Sequence, residues 1–463
     1  MATETTIALP VLGEPTQAAI IGPENGRTVY VETYGCQMNV SDSEIVMGVL
    51  HANGYRPVDS ADDADVILLN TCAIRDNAEK KIHDRLDALK WQKRHNRDLV
   101  VGVLGCMAER LRTSLLEKKL VDIVVGPDEY RKVPELVETA LSGSKGIAVK
   151  LSRVETYDDI QPLRTEGISA WMSIMRGCDK FCTFCVVPFT RGRERSRALQ
   201  SVVDEAKQLW DAGFREVTLL GQNVNSYRDD VSGYDFADLL AATARAVPQM
   251  RIRYTTSHPQ DMSDKLIDTM AEHDNICKYI HLPIQSGSNR VLQLMNRTYT
   301  VEHYMQRMER IRAAMPLVAM STDIIAGFCT ETEDDHQRTL DVMRAVRYDG
   351  AYMFAYSPRE NTKAWKMGDD VPDEVKSRRL QEIVDLQQTI AAEINATEVG
   401  RIHDVLVEGP SKRNASEWRG RSDTNKTVIF PHDETADYIV GDTIRTRITR
   451  STSATLFGER VTT

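Results

Sequence analysis

The sequence predicts an α/β protein of three successive domains: an N-terminal open parallel α/β sheet, a central partial β/α barrel and a small C-terminal β-barrel. Three observations carry this reading. Short apolar runs alternate with amphipathic stretches from Thr28 to Ser142, the same alternation restarts at Ser169, and after Glu398 the chain turns to short β-rich runs. A length of 463 residues exceeds one ordinary core and fits about three domains. The expected divisions are a leader over 1–26, an N-terminal domain over 27–150, a linker over 151–163, a central domain over 164–397 and a terminal domain over 398–463.

The leader reading rests on Pro10, Gly13, Pro15, Gly22, Pro23 and Gly26 among small polar residues. In the first domain the pattern predicts strands at Thr28–Thr33, Asp65–Asn70, Leu99–Leu104 and Val121–Val125. Helices are expected to start near Ser41, Arg75, Cys106 and Val133. Leu151 to Leu163 is polar, acidic in its middle, and reads as a linker. Central strands are expected at Ala170–Met175, Glu216–Leu220, Arg251–Thr255, Lys278–Leu282, Ala319–Ile325 and Ala351–Tyr356. Helical periodicity falls at Leu199–Ala212, Phe236–Ala246, Ser263–His273, Val301–Ala314, Glu333–Arg347 and Glu374–Ala396. Six strand–helix units without a closing pair give an incomplete barrel, whose chemistry belongs on the loops beyond the strand ends. The tail predicts strands at Arg401–Glu408, Ser416–Arg421, Lys426–Phe430, Thr443–Thr449 and Thr455–Arg460. A small barrel of this kind often presents a face to single-stranded nucleic acid.

Eight cysteines are too few for a secreted disulfide framework in a chain of this size, so metal binding better explains those that cluster. Cys178, Cys182 and Cys185 form C-x3-C-x2-C just after the first central strand. Three soft thiolates on one loop can hold three corners of a [4Fe–4S] cluster and leave one iron open, and the competing reading is a zinc site short of one ligand. Cys36, Cys72 and Cys106 each follow a predicted strand, in Tyr34-Gly-Cys36, Asn70-Thr-Cys72 and Leu104-Gly-Cys106. Carboxyl ends of strands share one edge of an open parallel sheet, so these three thiols are expected to converge. A second cluster is the sharper reading, and three core cysteines placed by chance is the blander one. Cys277 and Cys329 lack partners at ligand spacing and read as packing residues.

The formal net charge of −10 argues against indiscriminate coating of nucleic acid. Around the cysteine loop, however, Arg164, Arg176, Lys180, Arg191, Arg193, Arg195 and Arg197 outnumber Glu166, Asp179 and Glu194. That run suits phosphate contacts or an anionic cluster, or is simply a solvated charged face. In the tail, Lys412, Arg413, Arg419, Arg421, Lys426, Arg445, Arg447 and Arg450 are nearly cancelled by acids, which suits modest, orienting phosphate contact. No run of 18 apolar residues exists to cross a membrane, and the start lacks the features of a secretion signal. A soluble cytoplasmic protein is expected.

The cysteine loop, Gly177-Cys-Asp-Lys-Phe-Cys-Thr-Phe-Cys-Val-Val-Pro-Phe-Thr-Arg-Gly-Arg193, resembles that of radical S-adenosylmethionine (SAM) enzymes. With the strand-end cysteines, Tyr34-Gly-Cys-Gln-Met-Asn39 and the terminal barrel, nearly the whole chain from Arg27 to Val461 resembles the methylthiotransferase family of that superfamily. The resemblance implies two [4Fe–4S] clusters, one on Cys178, Cys182 and Cys185 that binds and cleaves SAM, and an auxiliary one on Cys36, Cys72 and Cys106 that handles sulfur. It places Phe184 beside the SAM adenine. Gly221, Gln222 and Asn223 occupy the segment that receives the SAM amino group, although the family's two acids are missing there. Ser257 and Gln285 are polar groups on the same rim. Asp323, Ile325 and Gly327, followed by Glu331, resemble the segment along the adenine, with Cys329 and Thr330 where Pro-Gly is more usual. His258 and His281 are possible acid–base groups, but core or rim histidines are the commoner case. The terminal barrel resembles the RNA-binding TRAM module.

Within the family the motifs favour the branch that adds a methylthio group to C2 of N6-isopentenyladenosine 37, beside the tRNA anticodon. The alternatives are a threonylcarbamoyl adenosine, a ribosomal-protein aspartate, or a noncatalytic metal-bearing RNA-binding protein. Further implied partners are the anticodon stem-loop, an electron donor of flavodoxin or ferredoxin type, and a supplier of sulfur and clusters. A monomer is expected.

Overall fold

The computed structural model describes residues 7–8, 25–72, 76–164, 167–412, 414, 416–432 and 437–461. Most of the expected leader, Arg75, Glu166 and Arg413 lie outside these residues. The N-terminal sheet runs in the order Ile7–Ala8, Thr28–Thr33, Val66–Thr71, Val100–Gly105, Ile123–Val125, Gly146–Ala148, with Arg56–Pro57 also paired to Thr28–Thr33. All pairs are parallel except that of Ile7–Ala8. Both faces are covered, so the strands read as near-continuous apolar runs, with Val29, Val31, Leu68 and Leu104 on one face and Tyr30, Ile67, Leu69 and Val103 on the other. In register, Thr33 pairs with Asn70 and Asn70 with Leu104, so the strands bearing the three cysteines end together.

The helix after the first strand, Gln37–Ala52, begins earlier than Ser41, with Cys36 at its N-cap. It is buried nearly all round, Asn39, Ser41, Asp42, Ser43 and Glu44 included, because it lies between the N-terminal sheet and the central domain. Gly48 marks how tightly: a Cβ there would lie 2.2 Å from the Gln161 carbonyl oxygen.

Six parallel central strands follow, in two sheets of three. Ser169–Ser173 and Arg251–Thr255 flank Glu216–Leu220, while Tyr279–His281 and Gly350–Ala355 flank Ala319–Ala326. A single parallel bridge between Ile252 and Ile276 links the two halves. The incomplete barrel expected from the pattern is therefore observed. The terminal strands Ile402–Pro410, Glu417–Ser422, Thr427–Pro431, Leu456–Arg460 and Thr443–Ser451 close into a barrel in that order. Its core includes Val405, Val428, Phe430, Ile444, Ile448 and Leu456.

The terminal barrel docks on the amino-terminal ends of the central strands. Arg251 donates to the carbonyls of Arg421 and Asp404, and Arg253 to those of Ser422 and Asp423 as well as to Glu216. Lys426 reaches Asp349 and Asn395. This corrects the tail reading in part, since Lys426 is held against the central domain and Arg419 and Arg421 both pair with Glu408. Arg445, Arg447 and Arg450 remain exposed on one strand.

Leu151–Leu163 is no loose tether. Tyr157 is buried and donates to the Pro127 carbonyl, Leu163 is buried, and Asp158 pairs with Arg197. The acids of this linker serve arginines of the neighbouring domains, Glu155 and Asp159 pairing with Arg131 and Asp158 with Arg197.

Candidate active site

Two glycines let the loops that bear Cys36, Cys72 and Cys106, the first thiol triad, pack closely. Gly35, at φ +126°, approaches so closely that a Cβ would lie 2.7 Å from Cys72 Cβ, and one on Gly105, at φ +89°, would lie 2.6 Å from the Thr71 carbonyl oxygen. Cys72 and Cys106 are buried and Cys36 is partly exposed. Burial pushes the Cys106 thiol up in pKa, while the Arg191 guanidinium beside it opposes this; Asp42, Cys36 and the Thr190 hydroxyl complete its surroundings. Arg359, from the loop after the last central strand, lies near enough to Cys72 to feel its charge.

The second triad lies on the loop beyond Ser169–Ser173, with Cys178, Cys182 and Cys185 all partly buried. The loop is fastened on three sides. Cys178 N donates to the Gly192 carbonyl, Thr183 N to that of Met295, and Ala364 N to that of Thr183. Gly177 allows the chain to cross itself, as a Cβ there would meet the Arg193 carbonyl oxygen at 2.0 Å. Arg297 Nη1 donates to Cys182 Sγ at 3.3 Å while its other nitrogens bond Tyr299 and the Pro283 carbonyl. Burial pushes Cys178 and Cys185 up to about 12, so these thiols stay protonated at neutral pH unless a metal takes the proton's place. The two triads meet through one segment: Val186, directly after Cys185, packs on Cys106.

At the neighbouring strand ends Gly221 has no room for a side chain, since a Cβ would lie 2.6 Å from Met175 Cγ. Its carbonyl accepts from Thr256 N and that of Asn223 from Ser226, so two backbone carbonyls of this segment are already engaged. Among the described residues Gln222 Oε1, Asn223 Oδ1 and Ser257 Oγ are buried without a hydrogen-bond partner. Two acceptors and a hydroxyl left unpaired fit a ligand carrying an ammonium and a carboxylate. Asn223 Nδ2 donates to Asp261, which also pairs with Lys180 of the cysteine loop.

Phe184 and Ile325 join one apolar group with Phe328 and Tyr356. Asp323 Oδ1 stands 3.4 Å from His281 Nε2. Gln285 takes φ +73° and its backbone bonds those of Asp323 and Ile325, so it braces that strand. Gly327, at φ +71°, donates its N–H to Glu331 and lies against Lys376. His258 is buried edge-on to Tyr299, and burial, with Arg297 and Lys180 nearby, pulls it down to about 2. It is neutral at working pH. Cys277 and Cys329 are buried, the latter within the apolar group of Phe184.

The arginine run does not serve phosphates at five of its positions. Arg164, Arg176, Arg191, Arg195 and Arg197 are each at most 9% exposed. Arg176 and Arg191 share Asp42 at 2.9 and 2.7 Å, Arg195 pairs with Asp128, Arg164 bridges Glu44 and Glu205, and Arg197 joins Glu205 and Asp158. Arg193, by contrast, is exposed and pairs with Asp179. Sequence reasoning missed Asp42 and Arg297. The available signal for Asp42 was an acid-bearing helix directly after a candidate ligand cysteine, facing an arginine excess elsewhere.

Three family models match the chain: Uncharacterized protein family UPF0004 over residues 28–126, the Radical SAM superfamily over 172–343 and the TRAM domain over 396–461. The radical SAM methyltransferase TsrM from Kitasatospora setae, solved with cobalamin and a [4Fe–4S] cluster, shares the fold at a TM-score of 0.55 and 14% identity, over 73% of this chain and 77% of its own. Fold and site thus define a radical SAM enzyme. A tRNA-2-methylthio-N(6)-dimethylallyladenosine synthase from Chloroherpeton thalassium is 54% identical over 93% of this chain and 95% of its own. One of the same name from Amoebophilus asiaticus is 52% identical over 96% and 95%. The chain belongs to the family of tRNA-2-methylthio-N(6)-dimethylallyladenosine synthases.

Proposed function

We propose that this chain adds a methylthio group to C2 of N6-isopentenyladenosine 37 in tRNA, using two [4Fe–4S] clusters and SAM. Membership of the family supports the reaction. The packing of Cys106 on Val186 supports the rest, since it joins a strand-end cysteine to the radical SAM loop. One carbon must lose hydrogen and gain sulfur, so the two sites must serve one substrate position.

Cys178, Cys182 and Cys185 hold the cluster that works with SAM, and Cys36, Cys72 and Cys106 the auxiliary one. Bound at Cys178, Cys182 and Cys185, a reduced cluster with SAM would supply a 5′-deoxyadenosyl radical, which suits a C2–H that no side-chain base can deprotonate at neutral pH. Gln222 and Asn223 receive the SAM ammonium through side-chain oxygens, and Ser257 donates to its carboxylate. Phe184 and Ile325 give the adenine an apolar wall, while Gln285, Asp323 and Gly327 set the shape of that strand end. Arg297 keeps a cation on Cys182. Neutral His258 packs rather than transferring protons.

The anticodon stem-loop carrying the isopentenylated base is the proposed substrate, and the exposed arginines of the terminal barrel orient it. Electrons come from a donor of flavodoxin or ferredoxin type, and sulfur and clusters from a separate supplier. The protein works as a cytoplasmic monomer, and no described helix is long and apolar enough to cross a membrane. The test is a reconstituted assay with SAM, reductant and isopentenylated tRNA, run beside threonylcarbamoylated tRNA and a ribosomal-protein aspartate substrate. Methylthiolation confined to the isopentenylated tRNA is expected. Product from either competitor instead would reassign the substrate.

A further inference from the structure

Arg191 is 4% exposed, and its Nη2 bonds both Asp42 at 2.7 Å and Asn39 at 3.3 Å on the helix that follows Cys36. Its Nη1 is buried and has no hydrogen-bond partner among the described residues. An unpaired buried N–H on a cation is costly, so a ligand is expected there. Solvent and RNA cannot reach it. The thiols can: Arg191 lies within electrostatic range of both Cys106 and Cys36, and Thr190 beside it borders Cys106.

The local charges point the same way. The side chains joined around Arg191 are Arg176, Arg195, Asp42 and Asp128, so three guanidiniums meet two carboxylates. Arg164 and Arg197 are separately matched by Glu44, Glu205 and Asp158. The ion-pair group that contains Arg191 thus carries one positive charge in excess. A four-iron, four-sulfide core of charge 2+ held by three thiolates carries one negative charge, which is the complement. The other triad offers a parallel within the same molecule, where half-buried Arg297 already donates to Cys182.

We propose that Arg191 is a positioning residue of the auxiliary site: its Nη1 donates to a cysteine sulfur or sulfide of the cluster on Cys36, Cys72 and Cys106, and its charge makes that cluster easier to reduce. Hydrogen bonds to sulfur and nearby charge are the levers by which a protein sets a cluster's potential. Arg191 belongs to the radical SAM loop, so the central domain completes a site whose ligands all come from the N-terminal domain. The inference rests on the two-cluster reading above.

The experiment uses the full chain with Cys182→Ala, so that only the auxiliary cluster gives a signal, reconstituted anaerobically. Iron and sulfide are counted first. A folded protein that takes up no cluster would refute the two-cluster reading itself. With a cluster present, growth on guanidino-15N arginine should give the reduced cluster a 15N coupling in pulsed electron paramagnetic resonance, lost in Arg191→Lys. A cluster signal without that coupling would overturn the proposal, and this measurement needs no variant at 191 to fold. In redox titrations Arg191→Gln should move the auxiliary midpoint to more negative potential, while Arg193→Gln at the exposed neighbour should leave it in place. A fully loaded Arg191→Gln protein with an unmoved midpoint would also overturn it.

Discussion

Asp42 joins the two domains that carry the thiol triads, since both of its oxygens are taken by arginines of the radical SAM loop. Burial alone would raise its pKa, but Arg176 and Arg191 more than offset this and hold the carboxylate charged. Asp42→Ala strands the buried Arg191 cation and takes one of two carboxylates from Arg176, and should cost about 3–5 kcal/mol, read from the midpoint of urea unfolding. A loss within the range of an ordinary surface substitution would mean that the seam contributes little. His258 gives a pH dependence of opposite chemistry. The unfolded chain takes up a proton at this residue near pH 6.5, whereas the folded one does so only near 2. Folding stability therefore falls as pH drops below about 6.5, and His258→Gln should flatten that fall when urea midpoints are compared at about pH 7 and about pH 5. An unchanged slope would assign the dependence elsewhere. The candidate ligand cysteines were legible because spacing and strand-end position are local signals. Asp42 was not, because its partners Arg176 and Arg191 are 134 and 149 positions away and only the fold brings them together.

The strands and loops explain why two separate triads fit one chain. Cys36, Cys72 and Cys106 ride on three strands in register, whereas Cys178, Cys182 and Cys185 ride on one loop anchored by Thr183. Reconstituted protein should hold about 8 iron atoms per chain, and replacing Cys36, Cys72 and Cys106 together should leave about 4 with reductive SAM cleavage intact. Loss of SAM cleavage in a folded triple variant would falsify the separation of roles. Glu216–Leu220, Arg251–Thr255, Phe236–Ala246 and Val301–Ala314 match their sequence expectation end to end, because apolar alternation and helical periodicity are strong there. Gly146–Ala148 escaped notice because three residues are too short for a period to show. That Leu151–Leu163 is packed between its neighbouring domains was not legible, because composition reports polarity and not whether a polar group is paired.

At the scale of the whole molecule, the terminal barrel and the cysteine loops lie at opposite ends of the central strands, which no sequence pattern indicated. Arg251 and Arg253 were legible as strand residues, but their long reach to the barrel backbone was not. Removing the barrel would uncover these arginines, so substitution on its exposed strand is the cleaner probe of RNA contact. Changing Arg445, Arg447 and Arg450 together to Gln should weaken tRNA binding and flatten its salt dependence by a slope of about 2–3, near one unit per lost phosphate contact. Unaltered binding and slope would move the RNA contact off this face. Mass spectrometry of tRNA nucleosides from cells lacking and then regaining this protein reads the modification itself. Isopentenyladenosine should accumulate in its absence and return to the 2-methylthio form with the intact chain, but not with Cys36→Ala or Cys182→Ala. A methylthio level indifferent to the protein, or one restored in full by either cysteine variant, would contradict the account.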